Sequence, residues 1–112
     1  MNIIEKLGIT PEPWDFVPCS NFSGTWVSYI LDDKAHPLFQ SRHSSLMFDR
    51  KECDSDTALA AAAPKMLEAL IACVARYEKT GKPQVWESMY EAIEKATGKE
   101  WTDVKALTEE TK

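Results

Sequence analysis

Glycine is scarce in this chain of 112 residues, and the four present, Gly8, Gly24, Gly81 and Gly98, lie far apart. A phosphate-cradling loop or a dinucleotide fingerprint needs several glycines within a few positions, so both are excluded. Cysteine is rarer still: Cys19, Cys53 and Cys73 form an odd, scattered set. Such a set makes no disulfide framework, leaves at least one free thiol, and fits a reducing compartment. Basic charge is also short, with 13 Lys and Arg against 18 Asp and Glu and a net charge of −5. No cationic field draws the protein to nucleic acid, and DNA mimicry would need a denser acidic surface. No apolar run reaches the ~18 residues of a membrane helix. The opening "MNIIEKLGIT" turns polar at Glu5, too early for a signal peptide. A soluble cytoplasmic protein with no membrane partner is expected.

What is present divides near residue 53. Residues 1–53 read as strands and loops, and residues 54–112 as helices, within a single domain over 1–112. A short helix is predicted at Asn2–Leu7, stopped by Gly8. Trp26 to Leu31, bounded by Ser23-Gly24 and Asp32-Asp33, reads as a strand. Trp14 to Val17, hemmed by Pro13 and Pro18, suits a short edge strand. Ser45 to Asp49 is the third strand candidate. In the second half, Asp54, Ser55 and Asp56 are competent N-caps. An apolar stripe follows through Leu59, Ala63, Met66, Leu67, Leu70, Ile71, Val74 and Tyr77, ending at Lys79 and Gly81. A second stripe runs through Val85, Trp86, Met89, Tyr90 and Ile93 to Gly98. The short "TGKP" connection makes these two helices an antiparallel hairpin. Thr102 is placed to cap a last helix carrying Val104 and Leu107. The fold predicted is α+β: a short N-terminal helix, a small antiparallel sheet of about three strands, then the hairpin and C-terminal helix packed on one sheet face.

The stretch "DTALAAAAPKM" sets strong helix formers against a helix breaker. In an unbroken helix Pro64 would clash with the carbonyl of Ala60 and cost about 3 kcal/mol. Two helices resolve the conflict, one over residues 56–62 and a longer one with Pro64 in its first turn, where the missing N–H is harmless. One kinked helix is the alternative. Either way the alanines allow another backbone to approach closely.

"TPEPW" at 10–14 with "DTALAAAAPKMLEAL" at 56–70 resembles a pattern of small phage and prophage proteins, T-P-G-P-W followed by N-A-R-L-I-A-A-A-P-x-L-L-E-A-L. Thr10, Pro11, Pro13, Trp14, Leu59, Ala61 to Pro64 and Leu67 to Leu70 match. Glu12, Asp56, Ala58, Ala60 and Met66 depart from it. Asp56 caps a helix as asparagine would. The resemblance implies a viral accessory gene product acting in the host cytoplasm, and it carries over no site residues.

No catalytic, cofactor or metal residue is assigned. The segment "DDKAHPLFQSRHSS" at 32–45 offers serines, His36, His43, Asp32 and Asp33, but no nucleophile-elbow glycines flank the serines. It reads as a solvated loop. Cys19, His36, His43 and Cys53 are acceptable zinc ligands without the spacing of a closed motif. Cys73 reads as a buried apolar residue. Aromatics and arginine make binding hot spots, so Trp14, Arg42, His43 and Trp86 are the candidate partner contacts. The leading expectation is a non-enzymatic protein that binds and inhibits a host protein, such as a defence factor. A nucleotide-sequestering module, a metal-dependent hydrolase using His36 and His43, and an assembly role with homo-oligomers are the alternatives.

Overall fold

The β-branched and aromatic run Thr25–Leu31 forms the middle strand (β2) of a three-stranded sheet in the computed structural model, which describes residues 2–81 and 87–110. Strands β1, Asp15–Phe22, and β3, Pro37–Ser44, flank it antiparallel on either side. The element order is α1 (Ile3–Lys6), β1 to β3, α2 (Arg50–Ala61), α3 (Ala63–Thr80), α4 (Glu87–Thr97) and α5 (Trp101–Glu110). The α+β class predicted from sequence is the class observed. The chain forms two compact units, Pro11–Ala63 and Met1–Thr10 with Pro64–Lys112. Each is described in turn.

In the first unit, Ser23 and Gly24 turn the chain between β1 and β2. Both have positive φ, 52° and 81°, as a two-residue type I′ hairpin demands. The Gly24 N–H donates to Asn21 Oδ1 at 3.3 Å. A Cβ on Gly24 would meet only Ser45 Oγ at 3.9 Å, so space is not the constraint; the left-handed backbone is. Gly24→Ala should therefore lower stability by roughly 1–2 kcal/mol, read from urea denaturation.

Strand β1 is longer than expected and runs through Pro18. A bulge makes this tolerable: register is lost between Val17 and Ser20, so Pro18 and Cys19 together oppose Ser28. Strand β3 was not expected where it lies. Pro37–Ser44 is polar and half-exposed, and its residues face alternately towards α2 and away from it. Ser45–Asp49, the predicted third strand, is instead a turn and the approach to α2. Leu46 and Met47 consequently stand 94% and 77% exposed.

Helix α2 starts earlier than predicted. Its N-cap is Asp49, not Asp54 to Asp56, and Asp49 and Glu52 form a reciprocal capping box. The helix lies on the sheet and touches all three strands. Ile30, Cys19, Cys53, Ser28 and Thr57 are buried between them. The Ser28 hydroxyl donates to the Val17 carbonyl, and Thr57 back-bonds to Cys53, so both buried hydroxyls are satisfied. The compositional divide near residue 53 thus falls inside α2.

The second unit is helical. The predicted short N-terminal helix is α1, shorter by one residue at each end: Asn2 caps it, Leu7 closes it, and Gly8 follows as the expected stop. Ala62 closes α2 and Ala63 opens α3, so Pro64 sits in the first turn of a new helix. Gly81, at φ 77°, receives the end of α3. Ile4, Ile71, Val74, Ile93 and Val104 are essentially inaccessible and form the core with Trp101. Helix α5 packs against α1 and α4. Leu59 and Met66, expected on the packed stripe, are 62% and 54% exposed. Helix α5 begins at Trp101, one residue before the predicted cap Thr102, and the Trp101 N–H is taken by Glu94 Oε2. Pro83, Val85 and Trp86 lie outside the described residues.

Candidate functional site

The alanine run at 60–63, where α2 gives way to α3, has a consequence on the sheet side. Ala60 and Ala63 are too small to close the gap beside β3, and a cleft of ≈ 350 Å³ remains there, with Trp14, Phe39, Ser41 and Asp56 on its walls. Ile30 forms part of its buried lining. Trp14 and Phe39 meet at 5.5 Å between ring centroids, tilted by 52°. Phe39 is 55% exposed, so the aromatic wall is open to solvent. A wider hollow of ≈ 480 Å³ at the α4–α5 turn is walled by Glu94, Lys99 and Glu100 among others and opens broadly, so it offers little for an apolar group to grip.

A hydrogen-bonded chain borders the cleft. His43 Nε2 lies 2.9 Å from Asp56 Oδ2, and His43 Nδ1 lies 3.1 Å from Ser41 Oγ. With Nε2–H donating to the carboxylate, Nδ1 is left to accept the serine hydroxyl. The three residue types are those of a hydrolytic triad. Their setting differs, because Ser41 lies in mid-strand opposite Ser28. An extended backbone points successive N–H groups to opposite sides, so they do not converge on one oxyanion. The chain of bonds fastens β3 to α2, and the His43 ring packs edge-on against Phe48 at 5.1 Å.

Of the residues singled out from sequence, Trp14 lines the cleft. His43 lies on the same face of β3, but its side chain is only 14% exposed and is committed to Asp56 and Ser41. Arg42 points to the opposite, open face, beside Tyr29 and Phe22. Sequence reasoning therefore joined two neighbours that the pleat separates. Trp86 falls outside the described residues. His36 closes the β2–β3 turn: Asp32 Oδ1 accepts from the N–H groups of Lys34 and His36, and its other oxygen meets His36 Nδ1 at 3.2 Å. These bonds, the His36 amide first, hold the Asp32 carboxyl below its usual range.

The proposed zinc quartet does not assemble. His36 and His43 sit at opposite ends of β3, while Cys19 and Cys53 meet as free thiols between β1 and α2. Among the described residues no three His, Cys, Asp or Glu side chains gather into a metal-holding group. Burial pushes the Cys19 thiol up to about 11, with the Asp54 carboxylate adding to it. Cys73, expected to be buried, is half-buried.

Asp54 serves the bulge. Its Oδ1 accepts the Cys19 N–H at 2.7 Å, a donor that the bulge removes from the ladder. That bond is the main reason its carboxyl lies below the ordinary carboxylate range. A folded value below the unfolded one means stabilisation that is present above the unfolded pKa and lost as pH falls through the folded one. Asp54→Asn keeps an acceptor but not the charge. Its stability should fall less than that of the parent as pH drops below about 4, measured by urea unfolding between pH 3 and 7.

Among the described residues no single helix is long and apolar enough to cross a membrane. No curated protein and no solved structure matches the chain. One family model does, over residues 1–100, and it is described as Salmonella phage P22 protein Y8K6. That match covers nearly all of the sequence, including both units down to α4. The chain belongs to this phage protein family.

Proposed function

We propose that this protein is a non-enzymatic phage accessory factor that binds a host protein in the host cytoplasm and inhibits it, taking an apolar side chain of that protein into the cleft beside Trp14 and Phe39. The observation that carries the reading is the cleft itself: an aromatic and aliphatic hollow left open by Ala60 and Ala63, and rimmed by acid rather than filled by a larger side chain. Large apolar anchors in desolvated pockets are where protein interfaces concentrate their energy. The carboxylate at the rim also speaks against nucleotide sequestration. Asp56 is 64% exposed at the cleft, and a phosphate brought there would meet a carboxylate instead of a cation.

The experiment is affinity capture of a Salmonella lysate on the immobilised full chain, in parallel with Ala60→Leu. Ala60 is an exposed helical position, so leucine fills the cleft without burdening the fold. A stoichiometric partner held by the parent, lost by the variant, and slowed in its own activity by the parent is the expected result. A partner retained equally by Ala60→Leu, or none at all, rules the reading out.

A further inference from the structure

The two edges of the sheet are built differently. The β1 edge is blunted: Pro18 has no N–H, the bulge interrupts the ladder, and the Cys19 N–H is drawn away to Asp54. Strand β3 has none of these protections from Phe39 to Ser44. Over those six residues it pairs one-for-one with β2, from Phe39 opposite Ile30 to Ser44 opposite Thr25. Among the described residues no strand lies on its outer side. Every second residue of this segment therefore turns an N–H and a C=O outward.

The cleft lies on this same strand, because Phe39 and Ser41 are two of its walls. A strand added beside β3 would alternate its side chains as β3 does. The residue opposite Phe39 or Ser41 would point to the α2 face and into the cleft. Its neighbours would point to the open face, where Arg42 stands exposed and, among the described residues, has no ion pair.

Charge narrows the occupant. Asp56 borders the cleft, and Asp15 and Asp33 are exposed, together with Lys34, at the end of the sheet where Leu31 pairs with Asp15. The whole chain carries −5. A second copy of β3 would bring only Arg42 as its cation, on the face away from the cleft. It would leave the acidic rim unanswered. A segment with lysine or arginine two positions from an apolar residue, so that both side chains fall on the α2 face, answers both.

We infer that the β3 edge and the cleft form one strand-addition site: an extended, basic segment of the partner pairs with β3 over Phe39–Ser44, sets one apolar side chain into the cleft and places a cation near Asp56. This rests on the reading of the cleft as a binding site and adds how the partner is held. Main-chain bonds supply affinity that is indifferent to sequence, and the cleft and acidic rim supply the selection.

The test selects binders to the purified full chain from a displayed library of random dodecapeptides, then synthesises the strongest and measures it by fluorescence anisotropy. The selected peptides should carry an apolar anchor with lysine or arginine two positions away. Ala60→Leu should weaken the peptide by about tenfold or more, as should N-methylation of every second amide, while methylating the intervening amides changes affinity by no more than about twofold. Binding that depends on Ala60 but tolerates N-methylation throughout removes strand addition and leaves the cleft reading standing. Enrichment of acidic peptides overturns the inference, as does failure to enrich any Ala60-dependent peptide. A chain that sediments as a dimer and binds no peptide would place a second copy on this edge and overturn it as well.

Discussion

Trp101→Ala should lower the stability of the helical unit by about 3–5 kcal/mol, the largest loss expected from any single truncation there. The indole is 8% exposed and belongs to the core cluster with Ile4, Ile71 and Ile93. It also packs edge-on to Tyr90 with 5.9 Å between ring centroids. Its Nε1–H is shared between the two Glu78 oxygens at 3.1 and 3.2 Å, which ties the first turn of α5 to the end of α3. Two contributions are therefore mixed in the alanine variant, and Trp101→Phe separates them. Phenylalanine keeps most of the packing and loses the charge-assisted hydrogen bond, for about 1–2 kcal/mol. The smaller figure applies because Glu78 keeps other partners, Lys105 Nζ at 3.2 Å and the Tyr90 hydroxyl at 3.4 Å. Urea denaturation of the three proteins, followed by far-ultraviolet circular dichroism, measures both. Equal losses for the phenylalanine and alanine variants would mean that the bond to Glu78, not the packing, holds this corner.

Much of this architecture could be read from residue order because it is encoded locally. Asn2 and Gly8 bracket α1, Ser23-Gly24 turns the hairpin, and Gly81 and Gly98 end two helices with positive φ. Pro64 restarts a helix because its ring would clash with the Ala60 carbonyl in an unbroken one. The errors arose where tertiary contacts outrank local composition. "SSLMFD" has the apolar content of a strand but no alternation, and it is a turn. "PLFQSRHS" looks like a polar loop because β3 is a sheet edge, half-exposed along its length. The start of α2 was legible and overlooked: Asp49-x-x-Glu52 is a capping-box signature, outweighed by the acidic cluster at Asp54 to Asp56. Both acidic residues of that cluster have other work, Asp54 at the β1 bulge and Asp56 at His43.

The candidate site was hardly legible at all. Trp14, Phe39, Ser41, Asp56 and Ala60 come from three stretches of sequence, and only the fold assembles them. Trp14 could be suspected because it follows prolines in an irregular segment. Ala60 could not, since its contribution is the volume it leaves empty. The two stretches that carry the phage-protein resemblance, at 10–14 and 56–70, include the two places where the chain passes between its units, Thr10 to Pro11 and Ala63 to Pro64. Proline at each crossing restricts the backbone there. Trp14 and Ala60 lie within those same stretches, so the segments that set the chain's path also shape the cleft.

Ile30→Ala tests how the cleft and the core of the sheet unit share one side chain. Ile30 is 2% exposed, pairs with Phe16 and Phe39 on either side, and contributes to the cleft wall. Its truncation should cost about 2–3 kcal/mol, whereas Ile93→Ala in the helical core should cost about 4. The difference comes from the cavity. At Ile93, which is 0% exposed, the hole is sealed and its lining loses dispersion contacts outright. At Ile30 the hole opens into the cleft, where water or a neighbouring side chain can enter, so less of the penalty remains. The same truncation deepens the cleft. A peptide anchored by tryptophan should therefore gain affinity for Ile30→Ala relative to one anchored by valine, by about tenfold if one further ring is buried. Denaturation midpoints and paired anisotropy titrations give the two numbers. Equal destabilisation at both isoleucines would show that the Ile30 cavity is sealed from the cleft. Unchanged anchor preference would show that Ile30 holds up the sheet without shaping what the cleft accepts.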